Sequence, residues 1–462
     1  MQYISTRGQA PKIGFCDVLL AGLARDGGLY VPETWPKLSQ SENLASTSYA
    51  QIAADIMSPF VGDEIDKKVF EKLCVDAYSS FRHPEVAPLV EIGSNEYLLE
   101  LFHGPTLAFK DVALQLVGKL FDLVLAQRSQ RVMIVGATSG DTGGAAFDGV
   151  ATCRNVDIVM LYPNNRVSDV QRRQMTTLGA SNVHAVAIDG TFDDCQDLVK
   201  AMFNDQKFRD ANNLSAVNSI NWVRVMAQIV YYVTAILKLG KPGVFSVPTG
   251  NFGNVLAGWI AKQMGAQIEG FVVASNRNDI LTRFFESKQM SANEVVPTLS
   301  PSMDIQVSSN FERLLFEAND RDGVETAKQL TVFRETGKLK VAASTYQKWF
   351  EGVFVGRRCN DEQTLATMQD VYKNSGMLID PHTAVGLSAA RQSAGVDFPK
   401  NSPMITLATA HPAKFPDAVF RATGQRPRLP EHLADLMTRP ERSVSLPNDL
   451  KAVQAFVAGC VG

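Results

Sequence analysis

Lys110 sits where an ammonium group is poorly solvated. In the stretch LFHGPTLAFKDVALQ, residues 101–115, it follows Leu107, Ala108 and Phe109 and precedes the apolar Val112, Ala113 and Leu114. The stretch reads as a helix start. A cation in a helix's first turn opposes the macrodipole, and apolar neighbours exclude water, so the amine's pKa should fall. Such an amine attacks carbonyl carbon and forms a Schiff base. The ordinary alternative is a solvated lysine at a helix start.

Two glycine-rich turns accompany it. VGATSGDTGGAAFDG, 135–149, carries Gly136, Gly140, Gly143 and Gly144 with Ser139, Asp141 and Thr142 among them. Free N–H groups at a helix start can receive an anion. The spacing matches neither G-x-G-x-x-G nor a P-loop. SVPTGNFGNVLAGW, 246–259, contains Thr249, Gly250, Asn251, Phe252, Gly253 and Asn254. Its glycines and asparagines tolerate positive φ, and such a turn can aim several backbone amides at one phosphate. Either turn alone is equally explained as an ordinary strand-to-helix connection. Two of them at the C-terminal ends of strands lie where open α/β sheets bind ligands. With one activated lysine, they suggest a phosphorylated aldehyde cofactor, pyridoxal 5′-phosphate.

A third stretch, NSINWVRVMAQ at 218–228, places Asn218, Ser219, Asn221 and Arg224 at the head of an apolar helix. Taken alone, Arg224 reads as a helix-edge charge paired with a carboxylate.

Alternating elements must position these groups. Strands are expected at 132–135, 157–162 and 183–188, with helices at 168–178 and 191–204 between or after them. A second block has strands at 243–248 and 271–274 and a helix at 255–264. The chain closes with a strand at 403–408 and a helix starting within 412–420. Strands alternating with helices of ten to fifteen residues imply βαβ units and a mostly parallel sheet. The helix at 222–239 is interrupted by Arg224 and Gln228, so it belongs to a core and not to a bilayer. The expected division is an N-terminal, mainly helical segment 1–95, an α/β domain 96–240 and a larger α/β domain 241–462 with an insertion near 290–360.

The totals limit the alternatives. A chain of 462 residues exceeds what one core usually supports. Its formal charge of −3 gives no electrostatic reason to bind nucleic acid or an anionic membrane. The six cysteines form no C-x-x-C pair, no Cys/His cluster has zinc spacing, and the N-terminus lacks an apolar signal region. No metal is therefore expected, and the location expected is cytoplasmic. A monomer and a homodimer are equally compatible with the sequence.

Taken together, HGPTLAFKD, ATSGDTGGAA, PTGNFGN and LATAHPAKF resemble the threonine synthase family of fold-type II pyridoxal-phosphate enzymes. The N-terminal YISTRG and VLLAGLARDGGLYVPE look like the same family's opening, and only 290–360 is poorly matched. The resemblance implies an α/β fold of the tryptophan synthase β type, with open, mostly parallel sheets and helices on both faces. It implies Lys110 as the Schiff-base lysine and Thr249, Gly250, Asn251, Phe252, Gly253 and Asn254 as the cofactor phosphate cup. By the same resemblance Asp141, where the family often has asparagine, lies near the ring's 3′-hydroxyl, and Thr409 faces the pyridine nitrogen. Thr138, Ser139 and Thr142 would receive the substrate carboxylate, and Ser219 and Arg224 its phosphate. The implied reaction is conversion of O-phospho-L-homoserine and water to L-threonine and phosphate. A phospho-lyase releasing a 2-oxo acid and a non-catalytic pyridoxal-phosphate-binding protein remain as alternatives. His103 and His411 fall in the matching stretches and are given no catalytic role. His83, His184, His382 and His432 are read as ordinary.

Overall fold

The computed structural model describes residues 1–38 and 47–460. Its larger sheet has six strands in the order Phe354–Arg358, Ile268–Ser275, Gly243–Pro248, Met404–Ala408, Glu96–Glu100 and Leu89–Gly93. All neighbours are parallel except the last pair. The smaller sheet is parallel throughout, ordered Val444–Pro447, Val183–Asp189, Val156–Pro163, Val132–Ala137 and Leu214–Ser215. Helices cover both faces of parallel sheets, which explains why Val156–Pro163 and Gly243–Pro248 are buried at every residue. The continuous apolar runs in the sequence are the consequence.

The sheets are not built from the contiguous blocks expected. Leu89–Gly93 and Glu96–Glu100 belong to the larger sheet, although they flank the expected boundary at 95. The chain leaves to form the smaller sheet, returns at Gly243–Pro248, and crosses back at Val444–Pro447. The expected insertion supplies the larger sheet's edge strand, Phe354–Arg358, and the helices Phe311–Ala318, Gly323–Thr336 and Ala343–Trp349. The N-terminal segment is helical in part, but it is not separate. Tyr3 donates to the Phe60 carbonyl and receives the Trp222 indole N–H, joining the N-terminus to the central helix Trp222–Leu239. That helix is long and apolar enough to cross a membrane, yet 78% of it is buried inside the protein. It begins at Asn221, whose side chain accepts from Val223 N–H, and ends at Gly240 in the left-handed conformation.

Candidate active site

Lys110 opens the helix Lys110–Arg128 and is buried. Its loop is tied to the end of strand Met404–Ala408. Phe109 N–H donates to Thr409 O at 2.9 Å, and His411 N–H to Leu107 O at 3.0 Å. These bonds bring Thr409 beside the lysine. Thr409 is buried and makes no side-chain hydrogen bond among the described residues. Asp111 anchors the loop from within, accepting from Thr106 N–H at 2.9 Å and from the Thr106 hydroxyl.

The Asp141 carboxylate is enclosed by two lysines. Lys110 Nζ is 3.3 Å from Oδ2, and Lys414 Nζ is 3.2 Å from Oδ1. Gln171 donates to Oδ1 at 2.9 Å and the Ser302 hydroxyl to Oδ2 at 3.4 Å. Burial raises the Asp141 pKa, but Lys414 and then Lys110 outweigh it and hold the carboxyl far below its usual range. Burial lowers the Lys110 pKa, and Asp141 only partly opposes this because Lys414 and Arg224 repel the same charge. Asp141 is thus paired chiefly with Lys414, and Lys110 is left disposed to be the free amine. Lys414 is fully buried and also donates to Gln174 Oε1 at 2.7 Å and Thr106 O at 2.8 Å.

The turn that starts helix Asp141–Val150 is braced by Thr138, whose hydroxyl oxygen accepts from Gly140 N–H at 3.0 Å and Gly143 N–H at 2.9 Å. Thr138 is therefore spent on the turn itself. Ser139 and Thr142 are half-buried, with no side-chain hydrogen bonds among the described residues.

In the turn at 249–254, positive φ occurs at Phe252, 62°, and not at the glycines or asparagines expected to take it. Gly250 is needed for close approach: a Cβ there would lie 2.7 Å from the Ser302 carbonyl. Thr249 uses its N–H on Ala274 O and its hydroxyl on Val247 O. Asn251 is exposed, and Ser309 donates to its side-chain oxygen. Asn254 turns into the core, where its Oδ1 accepts from Tyr231 and Tyr232 and its buried Nδ2 has no partner among the described residues. What the turn offers an anion is the first turn of helix Gly253–Met264, whose leading backbone N–H groups have no helical acceptors. An amine, a separate anion-receiving helix start and the Thr409 hydroxyl, without a hydrogen-bond partner among the described residues, fit a phosphorylated aldehyde with a polar ring.

Arg224 is buried, donates to Val217 O at 3.0 Å, and has no carboxylate partner among the described residues. Burial alone brings its guanidinium down to about 10. The helix-edge ion pair expected from its local sequence is absent among the described residues. A buried, incompletely paired guanidinium is a receptor for an anion. Ser219 lies in the same loop, half-buried, with its carbonyl bound by Asn310 Nδ2 at 3.0 Å.

Four neighbours were not legible as site residues: Lys414, Gln171, Ser302 and His382. His382 is buried, with Nδ1 on Asp380 at 2.9 Å and Nε2 accepting from Ser302 N–H at 3.2 Å. It thereby supports the serine that reaches Asp141. Lys414 stood inside a matching stretch, LATAHPAKF, and its place among alanines and a phenylalanine was the available signal. His103 pairs with Glu100, and His411 accepts from Ala413 N–H. Burial and then His103 push His411 down to about 4, keeping it neutral.

Known proteins resemble the chain throughout its length. The family model described as pyridoxal-phosphate dependent enzyme matches residues 84–334. Those described as threonine synthase N terminus and threonine synthase, C-terminal match 2–78 and 383–457. The threonine synthase of Pseudomonas aeruginosa is 54% identical, over 99% of this chain and 98% of its own. The crystal structure of pyridoxal-phosphate-bound threonine synthase from Brucella melitensis matches with a TM-score of 0.96 at 51% identity, covering 100% of this chain and 99% of that one. The yeast threonine synthase structure matches at 0.93 and 38% identity, covering 99% and 98%.

Proposed function

The chain belongs to the threonine synthase family of pyridoxal-phosphate-dependent enzymes, and from that premise we propose that it converts O-phospho-L-homoserine and water to L-threonine and phosphate. The observation that carries this reading is the buried Arg224, a cation without a carboxylate partner among the described residues, close enough to Lys110 to lower its pKa and distinct from the 249–254 turn. A substrate phosphate needs its own cation when the cofactor phosphate already has a helix start.

Lys110 would hold the cofactor, take protons from the substrate's Cα and Cβ, and return protons to Cγ, where the phosphate has left, and to Cα. Backbone N–H groups of the 249–254 turn and of the helix start behind it receive the cofactor phosphate. Asp141, paired with Lys414, would flank the ring, and the Thr409 hydroxyl would meet the ring nitrogen. When bound, the cofactor supplies an electron-withdrawing ring that takes up carbanion charge. Ser139, Thr142 and the turn braced by Thr138 receive the substrate carboxylate. Ser219 and Arg224 hold the γ-phosphate and neutralise it as it leaves Cγ, before water adds at Cβ. The six free thiols support a reducing, cytoplasmic setting.

The test is incubation of the holoenzyme with O-phospho-L-homoserine, with both products identified. Equal amounts of phosphate and threonine are expected. Phosphate with a 2-oxo acid would replace the proposal by a phospho-lyase, and no turnover would replace it by a binding protein. Borohydride reduction and peptide mapping should find the pyridoxyl group on Lys110; finding it on Lys414 would overturn the assignment of the lysines.

A further inference from the structure

Asn310, in the region expected to be an insertion, touches both anion-binding loops. It is fully buried at the start of helix Phe311–Ala318. Its backbone N–H donates to Asn251 O at 3.0 Å, within the 249–254 turn. Its side-chain Nδ2 donates to Ser219 O at 3.0 Å, within the loop that leads to Arg224. The same Nδ2 would lie 3.2 Å from a Cβ added at Gly253. The side chain is itself fixed, because its Oδ1 accepts from Arg313 Nη1. Arg313 is buried, spans to Ile220 O at 2.7 Å and Tyr30 O at 2.9 Å, and lies against the Trp222 ring.

We propose that Asn310 is a positioning residue that ties the substrate-phosphate loop to the cofactor-phosphate turn and so sets the span between the two phosphates. The inference rests on the assignment of Ser219 and Arg224 to the substrate phosphate. The cofactor is anchored by Lys110 and the 249–254 turn, so the substrate's reacting carbons have a fixed place. Its phosphate must then be received one short carbon chain away. The Arg224 guanidinium donates to Val217 O in its own loop, and the Ser219 carbonyl is held by Asn310. Loss of that bond releases the loop at Ser219, while Arg313 still holds it at Ile220 O, and removes no group that touches the substrate phosphate. The bonds on the cofactor side are independent of the Asn310 side chain: its own backbone N–H to Asn251 O, and Ser308 Oγ to Gly250 O at 2.7 Å.

The experiment compares Asn310→Ala and Asn310→Asp holoenzymes with the parent, alone and combined with Arg224→Ala. Asn310→Asp keeps the volume and the Arg313 contact, so it serves where the alanine variant does not fold. The KM for O-phospho-L-homoserine should rise at least about fivefold in either variant, the loss expected for one hydrogen bond. Cofactor affinity should stay within about twofold. So should the affinity for L-2-aminobutyrate, which has the same carbon chain without phosphate, read from the cofactor absorbance. In the Arg224→Ala background, the Asn310 substitution should add less than about twofold, because the tether then positions nothing. A parent-like KM in Asn310→Asp, or equal losses for the phosphorylated and unphosphorylated ligands, would overturn the tether. An Arg224→Ala enzyme with unchanged KM would instead overturn the assignment of the arginine on which the tether depends.

Discussion

Replacing Lys414 by Met tests the charge arrangement beside Lys110. The substitution keeps an apolar chain of similar length and removes a fully buried ammonium from Asp141, Gln174 and Thr106. Two charges 3.2 Å apart interact by about 5 kcal/mol at an effective dielectric near 20. Breaking a buried pair by deleting one partner costs about 3–5 kcal/mol, and the lower end applies because Asp141 keeps Lys110 and Gln171. The melting midpoint should therefore fall clearly without loss of the fold. The second effect is chemical. With Lys414 gone, Lys110 becomes the only lysine paired with Asp141, one of its two repelling neighbours disappears, and its depressed pKa must rise. Only the neutral amine captures an aldehyde, so the pH midpoint for uptake of pyridoxal phosphate by the apoprotein should move up. Stopped-flow absorbance across pH 6–10 measures it (an assay range of about that width). Lys414→Arg, which keeps the charge, should leave the midpoint near the parent value. A Lys414→Met midpoint equal to the parent's would refute the claim that Lys414 leaves Lys110 as the free amine.

Three further outcomes are expected. Arg224→Ala should raise the KM for O-phospho-L-homoserine by about ten- to a hundredfold with a normal cofactor spectrum, and Arg224→Lys should recover only part because an ammonium lacks the planar fork; steady-state kinetics and cofactor titration check both. Gly250→Ala should weaken cofactor binding more than Gly253→Ala, because its Cβ meets a backbone carbonyl at 2.7 Å and the other meets an amide nitrogen at 3.2 Å; equal affinities would contradict this. Burial pushes the Asp111 carboxyl up to about 7, outweighing the Thr106 hydrogen bonds, so the folded state binds more protons than the unfolded one between about pH 4 and 7. Stability from this group is lost as pH rises through that window, and the melting midpoint of Asp111→Asn should gain on the parent's from pH 4 to 7, then hold a constant difference.

Much of the candidate site was proposed from the sequence because its chemistry is local. A lysine among apolar residues, a glycine turn after a β-branched run and an arginine at the head of an apolar helix are defined by their immediate neighbours. The strands buried on both faces were legible for the same reason: parallel sheets demand continuous apolar runs, as at Gly243–Pro248. Edge strands make no such demand. Leu89–Gly93 is only partly buried, and Phe354–Arg358 ends in two arginines, so neither carries the apolar run that marks a central strand.

The turn at 249–254 shows the limit at the scale of single residues. Its sequence announces an irregular connection, but the left-handed residue is Phe252, buried against Phe311 and Phe354. Packing held a phenylalanine where local preference favours glycine or asparagine. Strand order, and with it the pairing of Val444–Pro447 with a strand far earlier in the chain, depends on which apolar faces meet and was not written in any local pattern. The same holds for Lys414 at Asp141 and for Asn310 at Ser219. The sequence by itself determined which local elements form and which groups are chemically competent. The tertiary structure decided which of those groups lie within a hydrogen bond of one another, because buried charges and loop carbonyls take partners from whatever the packed chain brings within about 3 Å.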